Sequence, residues 1–226
     1  MMKKTILSSL VSVFFVISLF GCSSSTKSPA NNAATLNSQP TTPVTTNVAA
    51  SADKIKFKTA GGSDLFSLKQ QADGAKLIDA NNQELARIKV DKPGRIKFKN
   101  AADQVLGYVV TAKGNWTLKN QEGNQDLYIF NRLANGDYQL EDAAKKEIYQ
   151  VKPGKNGFEI GTPAKQLVYQ VKVKEGKISL INPSQTILFY TKSGISPIAF
   201  ACLGFDTLTR EQQMALAYAV NLTGGQ

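Results

Sequence analysis

The sequence from Asp53 onward predicts a mainly β fold, an antiparallel meander closing into a barrel of about 12–14 short strands around an apolar C-terminal helix, about residues 196–222. Three observations carry this prediction. A unit of about twenty residues recurs along the chain, its strands alternate apolar with charged residues, and the last thirty or so residues abandon that alternation for apolar runs with helix caps.

The repeat is marked by turn starters at Thr59, Asp79, Asn100, Asn120, Asp142, Thr162 and Asn182, spaced by 20, 21, 20, 22, 20 and 20 residues. Short polar side chains of these types bond to nearby backbone and favour turns. Two residues before each starter stands a large apolar residue: Phe57, Leu77, Phe98, Leu118, Leu140, Ile160 and Leu180. Two earlier come Ile55, Ala75, Ile96, Trp116, Tyr138, Phe158 and Ile178. A period of two marks strands with one buried face. A second series, Gly74, Gly94, Gly114, Gly136, Gly154, Gly176 and Gly194, separates the units and suits positions of positive φ.

Between the two series lie returning strands, among them Glu84–Val90, Val105–Thr111, Leu127–Arg132, Glu147–Lys152, Leu167–Lys172 and Ile187–Thr191. Each unit is strand, turn, strand, turn. Literal repetition supports this, since Tyr149-Gln150-Val151-Lys152 recurs as Tyr169-Gln170-Val171-Lys172, and Lys54-Ile55-Lys56-Phe57-Lys58 as Arg95-Ile96-Lys97-Phe98-Lys99. Seven hairpins account for residues 54–193. One face of the sheet is apolar and the other cationic, the reverse of a membrane-spanning barrel, which needs an apolar exterior and longer strands. Closure of the meander removes its edges.

At the C-terminal end, Ser196-Pro197 is a helix start, and Ile198-Ala199-Phe200-Ala201-Cys202-Leu203-Gly204-Phe205 follows, apolar on every side. Thr209-Arg210-Glu211-Gln212 has the capping-box pattern before Met214-Ala215-Leu216-Ala217-Tyr218-Ala219-Val220. A helix that is apolar all round must be buried all round, and in a one-domain meander the place for it is the barrel interior. A membrane-inserting hairpin is the competing reading, but Asp206, Arg210 and Glu211 interrupt the run short of a spanning length of about 20 residues.

From Ile55 to Val220 the hairpins and the closing Ile198-Ala199-Phe200-Ala201…Ala215-Leu216-Ala217-Tyr218-Ala219 segment resemble the tubby-like superfamily, most closely its LURP-one-related and scramblase-related branch. The resemblance implies a barrel around a central helix and association with membrane lipids or proteins. It also implies six hairpins where this chain shows seven. Either Lys54–Gln71 packs outside the barrel or one hairpin is a loop. No phosphoinositide-binding residue of the family can be matched.

The first 52 residues contain no Asp or Glu. Lys3 and Lys4 precede an apolar stretch, Ile6 to Phe20, in the order of a secretory signal, residues 1–21. Leu19-Phe20-Gly21-Cys22 resembles the bacterial lipobox, with Phe20 bulkier than the usual residue there. That resemblance makes Leu19, Phe20 and Gly21 the signal-peptidase recognition residues and Cys22 the lipidated residue, with palmitate among its acyl chains. Two or more acyl chains anchor stably where one does not. Ser23, by the same analogy, favours the outer membrane, so the expected location is the bacterial cell envelope, facing the periplasm. Residues 23–52 are mostly Ser, Thr, Asn, Ala and Pro, with Lys27 the only charge, and with Cys22 they are expected to form a flexible tether, 22–52, ahead of the 53–226 domain.

The absence of histidine removes Ser-His-Asp systems and histidine metal sites, and two cysteines in unlike settings remove Cys₄ metal sites and a disulfide framework. The acidic residues stand singly at turns and caps, with no spacing that suggests a general acid and base. Cys202 reads as a core thiol, and Trp116, Tyr138 and Phe158 as core aromatics. No enzyme activity, cofactor or metal is expected.

The domain carries 24 basic and 17 acidic residues, net +7. Lys54, Lys56, Lys58, Arg95, Lys97, Lys99, Lys172 and Lys174 are the candidate surface for an anionic partner, a lipid or an envelope polymer, against the plainer reading of a solvated outer face. Most of these are lysine, which suits diffuse charge better than bidentate phosphate recognition. Nucleic acid is not expected, because the address separates it from the chain. The function expected is therefore a lipid-anchored, non-enzymatic interaction or structural protein. The alternative is a carrier of a hydrophobic ligand held in the barrel.

Overall fold

A computed structural model describes residues 54–192 and 194–225. The signal, the lipobox residues Leu19 to Cys22 and the tether lie outside the described residues. Fourteen strands follow one another in the described chain: β1 (Lys54–Lys58), β2 (Asp64–Gln71), β3 (Gly74–Asp79), β4 (Glu84–Lys92), β5 (Arg95–Asn100), β6 (Val105–Ala112), β7 (Asn115–Lys119), β8 (Asp126–Arg132), β9 (Tyr138–Asp142), β10 (Glu147–Gly154), β11 (Gly157–Gly161), β12 (Leu167–Lys174), β13 (Lys177–Ile181) and β14 (Ile187–Thr191). Each pairs antiparallel with its sequence neighbours, and β1 closes on β14. The first hairpin is therefore part of the barrel, and all seven predicted hairpins are real. The count of six implied by the tubby-like resemblance does not hold here.

The turn starters act as their chemistry requires. Asp79 Oδ1 accepts from the N–H groups of Asn81 and Gln83 at 2.8 Å each, and Asp142 Oδ1 accepts from Ala144 and Lys146. Asn100, Asn120, Thr162 and Asn182 hold their turns in the same way. Every one of these hairpins also has a bulge where the returning strand begins, leaving Leu65, Leu85, Leu106, Leu127, Ile148, Val168 and Leu188 without a registered partner. Bulges bend the strand and increase its twist, which helps a meander of short strands to curl into a barrel.

The glycine series needs correction. Gly94, Gly114, Gly136 and Gly176 do have positive φ, but Gly74, Gly154 and Gly194 do not. Gly74 is required for closeness instead, because a Cβ there would lie 1.9 Å from the Ile88 carbonyl oxygen of the neighbouring strand.

The predicted C-terminal helix is broken into α1 (Pro197–Ala201), a 3₁₀ turn at Cys202–Gly204, and α2 (Arg210–Leu222). Ser196 caps α1, and Thr209 with Gln212 forms the predicted capping box on α2. Their buried residues, Ile198 to Phe205 and Met214 to Val220, share one core with inward side chains of the strands. Phe200 lies 6.1 Å from Phe57, Phe205 stacks on Tyr149 at 5.5 Å, and Trp116 Nε1 donates to Thr223 Oγ1 at 3.1 Å. The helices thus fill the lumen, and a carrier of the predicted kind would have to expel them. No helix among the described residues is long and apolar enough to cross a membrane.

Candidate anion-binding surface

Inward positions on β1–β5 are apolar and buried, so the alternate residues must face outward. Register then decides which outward residues become neighbours. Lys54 pairs with Lys69, Lys69 with Lys76, Lys76 with Arg87, and Arg87 with Lys99. Five cationic side chains from five adjacent strands form one row, which at about 4.8 Å per strand spans roughly 19 Å. Like charges directly opposite one another oppose pairing, so such a row needs counter-charges or a partner.

The counter-charges are concentrated at one end of the row. Glu84 pairs with Lys76 at 2.8 Å and with Arg87, while Asp103 pairs with Lys99 at 3.0 Å and Arg87 at 3.3 Å. Hydrogen bonding from Lys99 holds the Asp103 carboxyl below its ordinary range. At the other end, Lys54 and Lys69 have no ion-pair partner among the described residues. Beside them Lys58 and Lys56 share Asp64, and those two hydrogen bonds, the Lys58 one the stronger, bring the Asp64 pKa down to about 2. These pairs are solvent-exposed, so they neutralise charge more than they stabilise the fold.

The remaining predicted residues are placed differently. Arg95 and Lys97 also face outward on β5 but share Asp91, and Arg95 lies 3.9 Å over the Tyr108 ring. Lys172 and Lys174 are on β12, separated from β1 by β13 and β14, where Lys172 donates to Gln185 at 2.7 Å and Lys174 meets Glu175 at 3.8 Å. They do not join the row. Between β12 and β1, Lys54, Lys56, Lys58, Tyr190 and Lys192 line a shallow depression over the β1–β14 seam, and Lys177 lies 5.2 Å from the Tyr190 ring centre.

Sequence reasoning missed Lys69, Lys76 and Arg87, the residues that link β1 to β5. Their signal was available as charge. Residues 54–100 carry eleven basic and five acidic side chains, net +6, while residues 101–226 carry thirteen and eleven, net +2. The excess belongs to one wall of the barrel. Cys202, by contrast, is fully buried with its thiol pushed up by burial, and its Sγ lies 3.7 Å from the Ile198 carbonyl oxygen.

No protein-family model matches the chain, and no curated protein matches it. Among solved structures it is similar to a protein from Arabidopsis thaliana, with a TM-score of 0.38 and 11% identity over 67% of this chain and 86% of that one.

Proposed function

We propose that the domain is a non-enzymatic binding module for polyanions of the bacterial envelope, carried on a lipid anchor at Cys22 and facing the periplasm from the outer membrane. The observation that supports it is the row Lys54, Lys69, Lys76, Arg87 and Lys99, cationic on five adjacent strands and, among the described residues, without ion-pair partners at its Lys54–Lys69 end. An extended phosphate- or carboxylate-bearing chain laid across the strands meets a positive charge about every 4.8 Å. Lysine suits this task, because its mobile point charge follows a repeating anion without demanding one bidentate geometry.

Inorganic polyphosphate is the probe. A Lys54→Gln, Lys69→Gln, Lys76→Gln variant is expected to bind it at least tenfold more weakly, with a shallower salt dependence, while Lys145→Gln, Lys146→Gln binds as the native chain does. Equal binding by the two variants overturns the proposal. Labelled palmitate separately tests the anchor, since Cys22→Ser is expected to abolish incorporation.

A further inference from the structure

The barrel has two unlike ends. At one, seven hairpin turns join odd strands to even ones and the 205–211 loop crosses the mouth, with Asp206 hydrogen-bonded to Tyr169 at 2.8 Å. At the other, glycine-bearing connections join even strands to odd ones, β14 ends, and the chain enters at Lys54. Taking each connection with its two flanking strand residues, the first end carries six basic and ten acidic side chains, net −4. The glycine end, counted the same way with Lys54 and residues 191–197, carries nine and three, net +6. The domain is therefore electrically polarised along its axis, and a charged surface exerts a torque on such a body as well as an attraction.

The glycine end is also where apolar surface is left open. Val90 is 46% and Leu222 56% exposed, the two highest values among the large hydrophobic side chains of the described residues. They are neighbours in space, lining one shallow notch with Ile96, Ala219 and Thr111. Lys92 lies two residues beyond Val90, Lys113 is on the next glycine connection and Lys155 on the one between β10 and β11; all three are exposed and have no ion-pair partner among the described residues. Apolar side chains surrounded by free lysines are what an anionic bilayer surface takes, with the aliphatic groups below the headgroups and the ammonium groups at the phosphates. An extended hydrophilic polyanion has no use for Val90 and Leu222.

We infer that the domain docks on an anionic bilayer through its glycine end, with Val90 and Leu222 inserted and Lys92, Lys113 and Lys155 on the headgroups. This rests on the proposed anion-binding function and names its partner surface. Lys54, the first described residue, lies on this same end, and an acyl chain at Cys22 together with the basic face would act on one membrane as two attachment signals.

The test uses the chain from residue 22 onward with Cys22→Ser, which lacks the expected signal and acylation site, with phosphatidylcholine vesicles with or without about one third phosphatidylglycerol, and polyphosphate as the soluble control. Lys92→Gln, Lys113→Gln, Lys155→Gln is expected to weaken binding to the anionic vesicles about 100-fold, at about fivefold per basic residue near an anionic surface. Val90→Ser, Leu222→Ser is expected to weaken it about tenfold while leaving polyphosphate binding unchanged. An environment-sensitive dye on Leu222→Cys is expected to shift to the blue with anionic vesicles only. Native-like vesicle binding by both sets of variants overturns the inference, even where the Lys54, Lys69 and Lys76 variant loses polyphosphate and so upholds the binding function. Native-like polyphosphate binding by that wall variant instead overturns the binding function.

Discussion

Phe200→Ala tests how the barrel is closed. Among the described residues the β1–β14 seam has one registered pair, Lys58 with Tyr190, whereas β1 and β2 share five. An aromatic cluster lies directly beneath. Phe57 of β1 stacks on Phe66 at 4.5 Å, Phe189 of β14 lies 6.4 Å from Phe57, and Phe200 of α1 contacts both, at 6.1 Å from Phe57 and 5.5 Å from Phe189. Phe200 is fully buried, so its truncation should cost about 3–5 kcal/mol, and because it touches both closing strands the loss should be felt most at the seam. Urea unfolding followed by circular dichroism gives the global loss. Native-state hydrogen exchange gives its location, and amides of Lys54–Lys58 and Ile187–Thr191 are expected to exchange much faster than those of β8 and β9. Leu140→Ala, equally buried on β9, should lower stability without that local opening. A loss below about 1.5 kcal/mol, or exchange that rises evenly around the barrel, refutes closure by the aromatic cluster.

Three further outcomes follow from individual residues. Gly74→Ala forces a Cβ to within 1.9 Å of the Ile88 oxygen and should lower stability by at least about 3 kcal/mol, whereas Gly176→Ala, at φ +71° with open space around it, should lower it by about 1 kcal/mol, a difference thermal melts can read. Burial, and then the hydrogen bond to Asp206, raise the Tyr169 pKa to about 12. A folded pKa above the unfolded one gives stability that is complete below about pH 10 and lost as pH rises through 12, so melting temperature should fall across that window and Tyr169→Phe should flatten the fall, with phenolate absorbance at about 295 nm marking the late titration. Cys202, buried with a raised pKa, should react with a thiol reagent only at the rate at which the barrel unfolds.

The hairpin count, the inward residues and both helix caps were legible because each is written locally. An Asp79 or Asn100 organises its own turn, and Phe57 or Leu118 shows its face through the residue two positions away. The bulges were not legible, since Leu85 and Leu106 look like ordinary strand residues until pairing leaves them without a partner. The cationic row was hidden for the same reason. Lys69, Lys76 and Arg87 lie on three different strands, and only register brings them between Lys54 and Lys99. The stripe chosen from alternation alone ran along strands, whereas the row runs across them. Lys172 and Lys174 share the alternation of β1 and β5, but closure puts them on the far side of β13 and β14.

Where the repeat departs from itself, it specifies what the barrel holds. The residue that follows each bulge is Phe66, Ala86, Gly107, Tyr128, Tyr149, Tyr169 and Phe189 in turn. The three tyrosines come from β8, β10 and β12, and all three reach the 205–211 loop: Tyr169 donates to Asp206, Tyr128 meets Thr207 at 3.4 Å, and Tyr149 stacks on Phe205 at 5.5 Å. That loop joins the two helices, so three staves fix how the lumen is filled at that mouth. Tyrosine is excluded from the Gly107 position, because a Cβ there already meets the Lys119 oxygen at 2.5 Å and the Phe98 ring at 2.8 Å. Phe98 covers the glycine from the neighbouring strand, so β5 supplies the ring that β6 lacks. The small residues Ala86 and Gly107 belong to β4 and β6, two of the strands against which α2 packs. Of the strands that meet α2, β4 and β5 form part of the wall with the excess charge, so these two strands seat the long helix inside and carry the end of the basic row outside. A substitution on β4 or β5 therefore acts on the inside or the outside according to parity alone: Ile88 and Phe98 are buried in the core with the helix, while Arg87 and Lys99, one residue away, face outward.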